Sequence, residues 1–251
     1  MCGRFTLTTP AQQLASLFDF LEPRGDDSGG MFSRFNIAPT QDVAAVRDPG
    51  DGTKPAIVAL RWGLVPSWAD DPKIGNRLIN ARAETVTEKP SFRDSFRSRR
   101  CLILADGFFE WKTADRVKQP FYIRRADRAP LAFAGVWDRW TAGPAPIESC
   151  TILTTTANEL LAPMHQRMPV LLDAEHFREW LDPRNKQTDR LKELLRTYPA
   201  EKMQATRVGP GVNDARFDDP SCVRPLAEGV IVVNRPTVRR TVRSDQRQLW
   251  D

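Results

Sequence analysis

Between Asp42 and Asp173 turn residues cut the chain into short apolar runs, and this spacing limits the fold more than any other feature. The runs "DVAAVR", "AIVALRWGLV", "CLILADGFFEW", "PFYIRR", "LAFAGVWDRW", "SCTILTTT" and "MPVLLD" are rich in β-branched and aromatic residues. Gly, Pro, Asp or Ser separates most of them, the signature of successive strands. Helical patterns are brief and scattered. "TTPAQQLASLFDF" predicts a helix capped by Thr9, with Pro10 at its first position and Leu14, Leu17 and Phe18 facing inward. "SFRDSFRS", "ANELLAPM", "AEHFREWL" and "TDRLKELLRTY" predict further helices. Strands crowding the middle, with helices dispersed among them, predict an α+β fold with mostly antiparallel pairing. No linker interrupts the chain before about residue 234, so one domain over 1–233 is expected, then an arginine-rich, flexible tail over 234–251. "LEPRGDDSGG" reads as a polar loop.

A chain of 251 residues buries a core without disulfides or a structural metal. No apolar stretch is long enough to span a membrane and no secretory leader is visible, so a cytosolic setting is expected. Cys2, Cys101, Cys150 and Cys222 are irregularly spaced with no C-x-x-C pair, and the chain has only 2 histidines. That pattern argues against a zinc site, and no cofactor is expected. Cys101, Cys150 and Cys222 lie in or beside apolar runs and read as inert buried thiols. The net charge is +5, with arginine its main source. Arg93, Arg97, Arg99 and Arg100 cluster in "FRDSFRSRR", and "RPTVRRTVRSDQRQ" is also basic, so a polyanionic partner or a solvated charge run fits.

Cys2 is the most unusual candidate residue. Removal of Met1 would leave a free α-amine beside the thiol, a 1,2-aminothiol that no internal cysteine can supply. The amine titrates at about 8 and the thiol at about 8.5 when unperturbed, so both are partly nucleophilic at cellular pH. An aldehyde condenses with the amine to a Schiff base, and the sulfur then closes a thiazolidine ring. The ring-opened sugar of an abasic site is such an aldehyde, carried on DNA. Glu110 lies between Phe109 and Trp111, so strand alternation puts it on the opposite face, either as a proton carrier of raised pKa or as an ordinary exposed glutamate. His165, just before "MPVLL", is a better acid–base candidate than His176, which sits in a surface helix pattern. Asn80 and Arg82 alternate and share a face if that run is extended; Asn80 suits an amine or hydroxyl and Arg82 a phosphate. Trp62 and Trp68 flank a Gly and a Pro, and each either caps the core or stacks on a base.

Taken in order, "MCGRF", "NIAPTQ", "WGLVPSW", "NARAET", "GFFEW" and "H-x-R-M-P" resemble the SRAP family, the SOS-response-associated peptidases, which are abasic-site-processing proteins. The resemblance runs from Cys2 to about Leu172, and less distinctly to about Val233. It implies a single α+β domain around a curved β-sheet, barrel-like core with a basic groove for single-stranded DNA. It also implies loss of Met1, a thiazolidine crosslink to abasic sites, AP-lyase activity and peptidase activity. By motif, Cys2 resembles the crosslinking nucleophile and Asn80 the asparagine that holds the reacting sugar and amine. Glu110 resembles the glutamate that moves protons, and His165 the histidine on the 3′ side of the lesion. Arg4, Arg82 and Arg167 resemble phosphate ligands. Asn36, Pro39 and Trp68 would line the DNA path, with Thr154 a further contact for which Thr155 or Thr156 could serve instead. The implied partner is single-stranded DNA with abasic sites, with the replication machinery beside it. The implied protein is a monomer, nucleoid-associated if bacterial. Three other readings compete: an N-terminal-nucleophile glutamine amidotransferase, a cysteine peptidase using Cys2 and His165, and a non-covalent DNA-binding module.

Overall fold

The computed structural model describes residues 2–18, 21, 30–114 and 117–232, so Met1, most of the "LEPRGDDSGG" loop and the 234–251 tail lie outside the described residues. In chain order the elements are β1 (Phe5–Leu7), α1 (Ala11–Ala15), β2 (Arg34–Ile37), β3 (Asp42–Arg47), β4 (Ala56–Trp62) and β5 (Asn80–Arg82). There follow α2 (Arg93–Ser98), β6 (Arg100–Ala105), β7 (Gly107–Ala114), β8 (Val117–Arg125), β9 (Leu131–Trp140) and β10 (Ile147–Thr156). The last are β11 (Arg167–Pro169), α3 (Phe177–Leu181), α4 (Thr188–Glu193), β12 (Met203–Val208) and β13 (Pro225–Val232), with single 3-10 turns between some of them.

Two sheets hold the strands. One runs β13-β12-β8-β7-β1-β2, and the other runs β11-β10-β4-β3-β6-β9. Because β10 also pairs with β9, the second sheet closes into a small barrel through β10, β4, β3, β6 and β9. Closure leaves those strands without a bare edge. Pairing is antiparallel except where β10 lies parallel to β4 and β5. β10 meets four other strands, which explains why "SCTILTTT" is buried almost throughout. The fold is thus α+β with a curved, mostly antiparallel core, as the sequence predicts.

The two sheets meet through aromatic side chains. Phe5 of β1 lies 5.1 Å from Trp62 and 5.7 Å from Phe133, ring centre to ring centre. On β7, Phe108 joins this main core, whereas Phe109 turns to a second cluster with Tyr122, Val208, Val212 and Cys222. The alternation predicted for "GFFEW" therefore holds, and Glu110 shares the face of Phe108. Trp62 is fully buried and donates its indole N–H to the Ile79 carbonyl at 2.8 Å, so it is a core residue and cannot stack on a base.

Other expectations need correction. "CLILADGFFEW" is two strands in two different sheets, broken at Asp106. The Asp106 carboxylate accepts the hydroxyls of Thr8 and Thr9, each at 2.6 Å, together with the amide N–H of Thr9 at 3.1 Å. Thr9 is consequently no helix cap; α1 begins after Pro10 and has no side-chain cap. Leu14 and Phe18 are buried as predicted, but Leu17 is exposed. "ANELLAPM" forms turns rather than a helix. Asn158 accounts for this: its side-chain oxygen accepts the Leu161 amide at 3.0 Å, while its side-chain nitrogen is drawn to the Tyr198 carbonyl at 2.9 Å. The arginine cluster also comes apart. Arg100 is buried and donates to the carbonyls of Phe96, Arg97, Trp180, Asp182 and Asn185. Arg99 pairs with Asp138 at 3.2 Å, which leaves Arg93 and Arg97 as the exposed cations of that stretch.

Candidate active site

β1 delivers the N-terminal residues to the face of β7 that carries Glu110. Phe5 lies opposite Phe108 and Thr6 opposite Gly107, and the Phe109 amide donates to the Arg4 carbonyl at 2.9 Å. Continuing that register backward puts Gly3 opposite Glu110. Cys2 is fully buried, its thiol 4.0 Å from the Arg4 carbonyl. Burial, and after it the charge of Glu110, pushes the thiol far above its ordinary range. This corrects the expectation of a partly ionised thiol: desolvation dominates. Glu110, itself 3% exposed, is also pushed up by burial, with His165 among the charges that oppose the shift.

Asn80 enters from β5, which runs parallel to β10 with Asn80 opposite Ile152 and Arg82 opposite Thr154. Its side-chain N–H donates to the Cys2 carbonyl at 2.8 Å. The Asn80 side-chain oxygen is buried with no hydrogen-bond partner among the described residues. A buried acceptor in that state is costly unless a ligand supplies a donor. Arg82 is exposed two residues on, so both sit on an extended segment as the alternation required.

His165 lies in the turn before β11. The Arg167 amide N–H donates to its Nδ1 at 2.9 Å. The Arg167 carbonyl lies 3.3 Å from the same nitrogen, so the Arg167 backbone brackets Nδ1 and leaves Nε2 outside this contact. Arg167 reaches back over β10 to the Thr154 carbonyl and pairs in bidentate fashion with Glu84, at 2.6 and 2.8 Å. Thr154 is buried and donates to the Ala81 carbonyl at 3.2 Å.

Arg4 and Asn36 form a separate clasp. Arg4 donates to the Asn36 side-chain oxygen at 2.8 Å and to the carbonyls of Val212 at 2.7 Å and Asn213 at 3.3 Å. The buried Asn36 amide donates to the carbonyls of Asp214 at 2.9 Å and Phe217 at 2.7 Å. Pro39 and Trp68 occupy separate loops. The Pro39 turn is held by Thr40, whose φ of 74° is left-handed and whose amide donates to the Trp62 carbonyl at 2.8 Å. Beyond β4 the backbone of Gly63, at φ 127°, passes so close to Gly75 that a Cβ would lie 2.6 Å from its carbonyl oxygen. Only glycine fits there. Trp68 is 54% exposed and touches the Pro90 carbonyl through its indole at 3.4 Å.

The structure therefore gathers Cys2, Asn80, Glu110 and His165 around one point. Arg82 of β5 and Arg167 of β11 flank Thr154, which is buried in β10, while Pro39 and Trp68 lie on separate loops. Sequence reasoning missed Glu84 and Asp106. Glu84 stood in the quoted "NARAET", two residues from Arg82, and that alternation was the available signal.

Fold and site together define an α+β protein that presents a cysteine at position 2 to a buried carboxylate and an asparagine. The sequence matches the profile described as SOS response associated peptidase (SRAP) over residues 1–215, and the chain belongs to that family. It is 43% identical to the abasic site processing protein YoaM of Bacillus subtilis, across 86% of this chain and 94% of that protein. It is 29% identical to the abasic site processing protein HMCES of Xenopus tropicalis, across 90% of this chain and 78% of that protein. A crystal structure of a protein from Bacteroides thetaiotaomicron superposes with a TM-score of 0.79 at 25% identity, covering 90% of this chain and 100% of that one.

Proposed function

We propose that this protein processes abasic sites in single-stranded DNA by linking Cys2 covalently to the ring-opened sugar. The observation that carries the reading is the convergence on Cys2. Asn80 holds its carbonyl while Glu110, buried and of raised pKa, lies close enough for its charge to act on the thiol. Membership in the family, and relatives named for abasic-site processing, support the same reading.

The chemistry requires Met1 to be removed, so that the Cys2 nitrogen becomes an amine. Ring opening moves the proton of the C1′ hydroxyl off and places one on the ring oxygen, leaving an aldehyde. Glu110, whose burial favours the protonated form, serves both transfers. The amine adds to the aldehyde carbon, and loss of one water gives the Schiff base. The thiol then adds across the C=N bond, sulfur to carbon and proton to nitrogen, closing the thiazolidine. A thiol that stays protonated until this step suits the sequence, because the amine attacks first. Asn80 orients the amine through the Cys2 carbonyl and offers its unpartnered oxygen to a donor of the sugar. His165 would act as the acid on the 3′ side. If it instead assists loss of the C2′ proton from the Schiff base, the C3′–O3′ bond breaks and the strand is cut, which is the lyase outcome. Arg82 and Arg167 would hold phosphates, and Pro39 and Trp68 would shape the path of the strand; Arg4, clasped to Asn36 and two carbonyls, and the buried Asn36 and Thr154 would instead support the walls of the site.

A cysteine peptidase would need a thiolate paired with imidazolium, and a thiol raised by burial disfavours that pair. The test is a denaturing gel of the protein with single-stranded DNA carrying one abasic site. We expect a heat-stable band that Cys2→Ala abolishes. A band that survives in Cys2→Ala would overturn the assignment of the nucleophile.

A further inference from the structure

Arg167 is a cation whose open edge is already taken. Its guanidinium is packed against β10, with one nitrogen on the Thr154 carbonyl, and the side chain is 16% exposed. The edge that faces out is closed by Glu84 with two parallel hydrogen bonds of 2.6 and 2.8 Å. The Glu84 side chain is 50% exposed, so it can swing into solvent without disturbing the core. It lies two residues beyond the exposed Arg82, whose charge also acts on it, so acid and base alternate along one segment.

A guanidinium fork fits a carboxylate and a phosphate with the same pair of bonds, and it cannot hold both. We propose that Glu84 is a displaceable phosphate surrogate: it closes the Arg167 fork in the free protein and yields it to a backbone phosphate of the bound strand. This rests on the nucleic-acid reading above and adds a residue that sets affinity. The alternative is a permanent brace, in which Glu84 holds Arg167 in position while DNA is bound elsewhere. Half exposure on the acid side favours the surrogate, because a strand phosphate can reach the outer edge of the fork as Glu84 turns into solvent, without entering the core. A single small anion gains little from opening the pair, whereas a strand that also engages Arg82 gains both contacts.

The test is fluorescence anisotropy with a lesion-free single-stranded oligonucleotide, which binds without crosslinking, on wild type, Glu84→Gln, Arg167→Ala and the double variant. We expect Glu84→Gln to bind roughly two- to fivefold tighter, the range an exposed ion pair is worth. The gain should vanish in the Arg167→Ala background. Weaker or unchanged binding by Glu84→Gln, with wild type binding normally, would overturn the surrogate and favour the brace. A gain that persists without Arg167 would overturn it too, as a general charge effect. Failure of wild type to bind at all would overturn the nucleic-acid reading along with it.

Discussion

Glu110 is where burial and charge oppose each other most directly. Its ordinary value of 4.5 is raised by burial, so the folded protein holds this proton more tightly than the unfolded chain does. The stability this contributes is complete below the unfolded value and is lost as the pH rises through the folded one. Glu110→Gln carries no such cost, and its melting temperature should gain on that of wild type as the pH is raised from 4 to 8. The same variant should crosslink abasic DNA more slowly while still binding it. A stability gap that narrows with rising pH, measured by thermal melts, would contradict the raised pKa. The pattern Phe-Phe-Glu-Trp made the facing of Glu110 legible in the sequence. Its burial was not legible, because it depends on β1 bringing Cys2 and the N-terminal residues over that face of β7. The Cys2 thiol was misjudged for the same reason: the sequence shows its unperturbed chemistry but not the loss of water on burial.

At the scale of elements, strands hold Asn80 and Glu110 while a braced loop carries the exposed aromatic. The loop bearing Trp68 is pinned on both sides. The Val65 amide donates to the Ser149 hydroxyl at 2.8 Å, the Ser67 amide to the Asp138 carboxylate at 2.9 Å, and the Trp140 indole to the Ala69 carbonyl at 2.7 Å. None of these bonds uses the Trp68 ring, which projects into solvent. Trp68→Ala should therefore change folding stability by no more than about 0.5 kcal/mol. Its affinity for single-stranded DNA should fall by about 1–3 kcal/mol, the worth of a base stacked on an aromatic ring. Equal losses of stability and binding would make Trp68 a structural residue. Here the sequence was half legible. The Gly and Pro between the two tryptophans marked an irregular loop, yet which ring turned inward depended on Ile79, a partner from another element. The extended runs at 42–47 and 131–140 were readable to the residue because each is a near-continuous apolar run bounded by turn residues. Asp106 was not, since its partners Thr8 and Thr9 are distant in sequence and an aspartate after an apolar run gives no sign of a change of sheet.

Across the whole molecule, the barrel puts β5 and β11 side by side with β10, so residues from "NARAET" and "H-x-R-M-P" meet although they are far apart in sequence. The sequence showed the strands, but strand order depends on non-local pairing that no run announces. The same arrangement brings Arg82 beside the Arg167–Glu84 pair, whereas Arg100 is spent on backbone carbonyls. Affinity for single-stranded DNA should fall with salt at about 0.7 log units per log unit of salt for each phosphate engaged. With Arg82 and Arg167 both in contact, the slope should be no shallower than about −1.4. A flat salt titration would remove the phosphate ligands from the account. The central claim is that Cys2 acts with both its nitrogen and its sulfur, and the most direct test is the intact mass of the heat-stable adduct with an abasic oligonucleotide. The account predicts the mass of the protein without Met1 plus that of the oligonucleotide, less one water, with the Cys2 sulfur protected from alkylation, whereas an open Schiff base of the same mass would leave that thiol alkylatable. An adduct that retains Met1, or one formed with no loss of water, would contradict it.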